Sequence, residues 1–129
     1  MAYNVLLVDD SAIVRKVLIK TFGMTEIPVN QFYQAENGQV GLDILKDNWI
    51  DVVFLDINMP VMNGMQFIEK LRGDPTTKDL PVIVVSTEGS KERKAELAEK
   101  GIQAYLRKPV SPEALVETIS DIFGGIHRE

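Results

Sequence analysis

This sequence predicts an α/β protein built on a parallel sheet with helices on both faces, and three observations carry that prediction. Short apolar runs alternate with helix-period segments from one end of the chain to the other. The runs are continuously apolar, as strands buried on both faces must be. Each helical segment is long enough to serve as the crossover between parallel strands. The pattern reads as strand–helix five times.

The first run is Asn4-Val5-Leu6-Leu7-Val8, which stops at Asp9-Asp10. Ser11 caps a helix through about Phe22, with Ile13, Val14, Val17 and Leu18 as its apolar face, and Gly23 ends it. A longish connection, Met24 to Asn30, precedes a second strand over Gln31 to Ala35. Asn37-Gly38 opens a second helix with Val40, Ile44 and Leu45 turned inward. Asp51 to Leu55 is the third strand, ending at Asp56. The loop Ile57 to Asn63 leads into a third helix from about Gly64, with Phe67, Ile68 and Leu71 on its core face and Gly73 as its stop. Met59 and Met62 should anchor that loop to the core. Pro81 to Val85 is the fourth strand and ends at Ser86-Thr87. Ser90 can cap the fourth helix, Lys91 to Lys100, whose few apolar residues, Leu97 and the alanines, should face in before Gly101 ends it. Ala104 to Arg107 is the fifth strand. Ser111-Pro112-Glu113 joins an N-cap, a proline at the first helical position and an acid in the first turn. Leu115, Ile119 and Ile122 line that last helix. One domain over 1–129 is expected, with 124–129, including the single histidine His127, as a short tail.

The chain has 14 lysines and arginines against 19 aspartates and glutamates over 129 residues, a net charge of −5. That balance argues against nucleic-acid binding by bulk electrostatics and against a polybasic membrane anchor. There is no cysteine, hence no disulfide framework or thiolate metal site. No basic leader with a cleavable apolar stretch is present, and no run approaches the ~18 apolar residues that span a bilayer. The expected compartment is the cytoplasm.

In a parallel sheet all strand C-termini share one edge, where ligands of open α/β sheets bind. The chain puts Asp9 and Asp10, Asp56, Ser86 and Lys108 there. Taken singly, each has a plain structural role: helix cap, turn former, strand-end hydroxyl, solvated lysine. Taken together, they form a chemical set. Three close carboxylates repel one another unless a cation compensates, and hard oxygen ligands suit Mg²⁺. Asp56 is then placed as a nucleophile that could form an acyl phosphate, with Lys108 as a second positive charge and Ser86 as a hydrogen-bond donor to a phosphoryl oxygen. No general base for a separate substrate accompanies them, which suggests self-modification.

The motifs are Val8-Asp9-Asp10-Ser11, Asp56 to Gly64 (Asp-Ile-Asn-Met-Pro-Val-Met-Asn-Gly), Pro81 to Ser86 and Lys108-Pro109. In that order, at the ends of strands one, three, four and five, they resemble a response-regulator receiver domain of the CheY type over roughly residues 3 to 123. The resemblance implies a flavodoxin-like (βα)5 three-layer sandwich with a five-stranded sheet of order 2-1-3-4-5. It implies Asp56 as phosphoacceptor, with Mg²⁺ on Asp10, Asp56 and the Asn58 backbone carbonyl and Asp9 acting through water. It implies Ser86 and Tyr105 as switch residues, Lys108 as the family's lysine, and a cis bond between Lys108 and Pro109. Asn58 and Glu88 would occupy positions that tune self-dephosphorylation.

Implied partners are a sensor histidine kinase or phosphotransfer protein, and a downstream protein met through helix four, strand five and helix five. The surface near Lys91, Lys94, Arg107 and Thr118 should then respond to phosphorylation. A stand-alone switch of a two-component phosphorelay, without an output domain, is expected. Ser86 and Thr87 stand where threonine and a small residue are common, and Arg107 is polar where many motor-binding members are apolar. A metal-dependent aspartyl-phosphate hydrolase is the alternative, but Asn58 stands where such enzymes carry a second acid. A nucleotide or flavin module would need a Gly/Ser/Thr-rich loop where Asp9-Asp10 stand.

Overall fold

The computed structural model describes residues 2–59, 61–87 and 91–124. The Ser90 cap, Pro60, Glu88, His127 and the rest of the tail past Gly124 lie outside the described residues. The elements are β1 (Tyr3–Val8), α1 (Ala12–Phe22), β2 (Val29–Ala35), α2 (Gly38–Asp47), β3 (Val52–Leu55), α3 (Gly64–Arg72), β4 (Val82–Ser86), α4 (Lys91–Glu99), β5 (Ala104–Arg107) and α5 (Pro112–Phe123). All neighbouring strands pair parallel, in the order β2-β1-β3-β4-β5. This is the flavodoxin-like arrangement that the resemblance implied.

Alternation along the strands builds two cores from one sheet. Leu6, Val8, Val53, Leu55, Val82 and Val84 point to one face, where Phe67, Ile68 and Leu71 of α3 and Leu97 of α4 cover them. Val5, Leu7, Val52, Phe54, Ile83 and Val85 point to the other, under Leu18 and Phe22 of α1 and Leu115 and Ile119 of α5. Every side chain of β1, β3 and β4 except Asn4 is buried. The middle of the sheet is therefore dry on both faces, and its polar atoms emerge only at the edges.

The caps fall where their residue types put them. Ser11, Asn37 and Ser111 each accept a hydrogen bond from the backbone N–H three residues on. Asn63 and Gln66 form a reciprocal capping box at the start of α3.

Four expectations change. Ile13 and Val17, read as part of the inward face of α1, are 75% and 52% exposed. The helix packs on the sheet through Leu18 and Phe22, with Ile19 partly buried beside them, and leaves Ile13 and Val17 as an apolar strip on the surface. Ala95 and Ala98 of α4 are exposed, so Leu97 alone is buried there. Thr118, placed on the outer surface, is buried at 9% exposure beside Leu115 and Ile119. Finally, β2 begins at Val29, two residues before Gln31, because Tyr3 pairs with Val29 before the register shifts. Among the described residues, no helix is long and apolar enough to cross a membrane.

Candidate functional site

Backbone hydrogen bonds that run past the strand ends assemble the C-terminal edge of the sheet. Asp9 N–H donates to Ala35 O at 3.0 Å, Asp56 N–H to Val8 O at 2.9 Å, and Lys108 N–H to Ser86 O at 3.0 Å. The ladder thus carries the acids and the lysine to neighbouring positions fixed by main-chain geometry. Asp9 and Asp56 are buried and Asp10 is exposed. One carboxylate oxygen from each of the three lies within 4.8 Å of the others.

Lys108 meets this cluster from β5. Its Nζ is 3.0 Å from Asp9 Oδ2 and 3.8 Å from Asp56 Oδ1. The ammonium is therefore nearer Asp9 than the expected acceptor, and it bridges the two buried acids. Asp9 also accepts from the Ser11 N–H at 2.9 Å, and its carbonyl accepts from Arg15 Nη1. Arg15 Nε in turn donates to Gln34 Oε1 at 3.0 Å. Asp56 receives the Asn58 N–H at 3.4 Å. Burial pushes the Asp56 carboxyl above its ordinary pKa; Lys108 opposes that shift, Asp9 adds to it, the Asn58 N–H opposes it and Asp10 adds a little.

Ser86 is buried at the end of β4, in register with Arg107. Tyr105, half-buried on β5, is in register with Val84. Lys94 of α4 holds its ammonium 5.3 Å from the Tyr105 ring centroid, a cation–π contact linking α4 to β5. The Lys108–Pro109 bond is cis. Asn58 is exposed at the rim.

Sequence reading missed what fixes the loop after Asp56. A Cβ at Gly64 would lie 2.7 Å from Ile57 Cα and 2.8 Å from the Asp56 carbonyl oxygen, so no side chain fits there. The Gly64 N–H donates to Ile57 O at 2.9 Å. Met62 packs against Gly38, and Met59 is buried, as loop anchors should be. Glycine after Asn63 signalled a helix start; the close approach of two backbone segments had no signal in the sequence.

As a donor set, three carboxylates with hard oxygen atoms in one small volume and one neighbouring ammonium fit a divalent cation of the Mg²⁺ kind. Softer or redox metals would call for histidine or thiolate, and this edge has neither.

A family model described as the response regulator receiver domain matches residues 5–120. The chain is 34% identical over 122 residues to a chemotaxis protein CheY homolog of Campylobacter jejuni, covering 94% of this chain and 92% of that one. It is 36% identical over 122 residues to protein PilH of Pseudomonas aeruginosa, covering 95% and 98%. Of solved structures, chemotaxis response regulator CheY4 of Vibrio cholerae is similar with a TM-score of 0.83 at 31% identity, covering 95% of this chain and all of that one. The chain belongs to the response-regulator receiver family.

Proposed function

We propose that this receiver domain is a phosphorylation-controlled switch of a two-component system, with Asp56 as its phosphoacceptor. The observation that carries the reading is the meeting of Asp9, Asp10 and Asp56 at one sheet edge with Lys108 bridging the two buried acids.

In the proposed step a carboxylate oxygen of Asp56 forms a bond to phosphorus. The bond from phosphorus to the donor's imidazole nitrogen breaks, and that nitrogen keeps the electron pair and takes a proton from solvent. The donor is the phosphohistidine of a sensor kinase or phosphotransfer protein; with a small phosphodonor the bond from phosphorus to that molecule's own leaving atom breaks instead, and that atom keeps the electron pair. Asp9, Asp10, Asp56 and the Asn58 carbonyl would hold Mg²⁺, which when bound would neutralise charge on the transferring group. Lys108 needs only a short shift from Asp9 toward Asp56 to meet the new negative charge. Ser86 supplies a hydroxyl to a phosphoryl oxygen, and its displacement leaves space for Tyr105 to turn. Tyr105 would then pull away from Lys94, altering the α4–β5–α5 face that a downstream protein reads. Exposed Ile13 and Val17 give a donor protein an apolar footing beside the site. The domain works in the cytoplasm, and nothing in its charge or surface calls for nucleic acid or membrane. Asn58, an amide two residues after Asp56, does not favour the hydrolase alternative.

A small phosphodonor with Mg²⁺ should add one phosphoryl group by mass spectrometry, and Asp56→Asn should abolish it. Labelling that persists in Asp56→Asn sinks the acceptor assignment. With a beryllofluoride mimic, Ser86→Ala should show reduced amide shifts on α4 and β5; a full wild-type response would place the coupling elsewhere.

A further inference from the structure

The connection from Met24 to Pro28 plays no part in the site, and its residues Met24 to Ile27 form one wall of a groove of about 610 Å³ along α5. Helical spacing gives α5 two parallel rows there. Pro112, Val116 and Ser120 form a half-buried row toward the connection. Glu113, Glu117 and Asp121 form an exposed row beside it. Met24 and Ile27 close the far side, and Glu26 stands on that rim. The groove is therefore apolar along its floor and acidic on both rims.

No lysine or arginine lines it, and α5 carries none along its length. Among the described residues, none of the four acids makes a salt bridge. A row of unpaired like charges at four-residue spacing disfavours the isolated helix. Met24 stays 64% exposed at the groove's end. An occupant relieves both features only if it brings an apolar ridge flanked by cations. Nucleic acid and anionic lipid meet the wrong charge, and a second copy of the same face opposes acid with acid.

We propose that this groove docks a cationic amphipathic segment of a partner protein, with its apolar ridge on Val116 and Met24 and its lysines or arginines against Glu26, Glu113, Glu117 and Asp121. The groove takes no residue from α4 or β5, the other two elements of the face proposed to respond to phosphorylation. It uses none of the acids at the sheet edge.

The test is a leucine–lysine amphipathic peptide with lysine at every fourth residue, titrated into the full chain and followed by amide chemical shifts. Saturable shifts on 24–27 and α5, lost in high salt and absent with the glutamate version of the peptide, are expected. Glu117→Lys and, separately, Val116→Ser should each weaken binding by about tenfold. Asp47→Lys makes the same charge change on α2 and should leave affinity within about twofold; Asp56→Asn should also leave it intact. Four results would overturn the proposal: Glu117→Lys binding as wild type, shifts centred on Asp9, Asp10 and Asp56, equal loss with Asp47→Lys, or concentration-dependent self-association through α5.

Discussion

Helices α3 and α4 are both nine residues long and both cover the same face of the sheet, yet they are held in opposite ways. α3 buries Gly64, Phe67, Ile68 and Leu71, and its capping box and the Gly64 N–H bond tie its first turn to the loop after Asp56. α4 buries Leu97 alone. Its C-terminal end is held from outside, by Arg72 of α3 and by a 2.9 Å ion pair between Lys100 and Glu69. The Arg72 guanidinium donates to the carbonyls of Lys78, Leu80 and Gly101 at 2.9–3.0 Å, and more weakly to those of Lys100 and Thr77. One side chain thereby fastens both the α3–β4 and the α4–β5 connections. The helix that frames the acid cluster is embedded in the core, and the helix on the proposed readout face is clipped at one end. The switch proposed above, which would hold its chemistry still while changing its surface, has use for that difference.

The comparison breaks most sharply at Phe67. Phe67→Ala should cost about 3–5 kcal/mol, since a fully buried ring is lost with little room to relax. Urea unfolding measures it, and a loss below ~1 kcal/mol would mean that α3 is not the anchored element.

Arg72→Met keeps the aliphatic stem and removes the donors. It should cost about 2–3 kcal/mol because several carbonyls lose a charged partner. Native-state hydrogen exchange should quicken first at the C-terminal end of α4 and across 74–80. Uniform quickening over the whole sheet would deny Arg72 its role as a local clip.

Val61 sharpens the picture from the loop between β3 and α3. It is β-branched, 81% exposed and held at φ +68°. The left-handed region costs a residue with a Cβ about 1–2 kcal/mol, and glycine returns part of that through its freer unfolded chain. Val61→Gly should therefore stabilise by about 1 kcal/mol or less, read from the denaturant midpoint. Destabilisation would show that the valine side chain makes contacts that outweigh the strain.

The smallest effect belongs to the outer face of α4. Ala98→Lys should change stability by less than about 0.5 kcal/mol, because Ala98 is exposed and lysine is a good helix former. A cost above ~1 kcal/mol would mean that this face is covered.

Much of this was legible in the residues. The continuous apolar runs of β1, β3 and β4 marked strands buried on both faces, while their order in the sheet followed only from the resemblance, and Ser11, Asn37 and Ser111 marked helix starts. Asp9, Asp10, Asp56, Ser86 and Lys108 could be gathered at one edge because parallel strands share a direction. Periodicity failed where apolar residues serve the surface or small residues serve neither role. Ile13 and Val17 fit the inward face of α1 by spacing, and the alanines of α4 looked inward only because little else there was apolar.

What the sequence by itself determined was the order and type of the elements and the meeting of the acids, since local periodicity and strand direction suffice for both. Tertiary structure alone decided which quarter of α1 touches the sheet, that Lys108 bridges Asp9 and Asp56 while sitting nearer Asp9, that Gly64 must lack a side chain, and that Arg72 clasps two loops. The physical reason is common to all four. Each depends on a distance between atoms of different segments, whether neighbouring along the chain as at Gly64 and Ile57 or remote as at Arg72 and Gly101, and the periodicity of one segment does not encode such a distance.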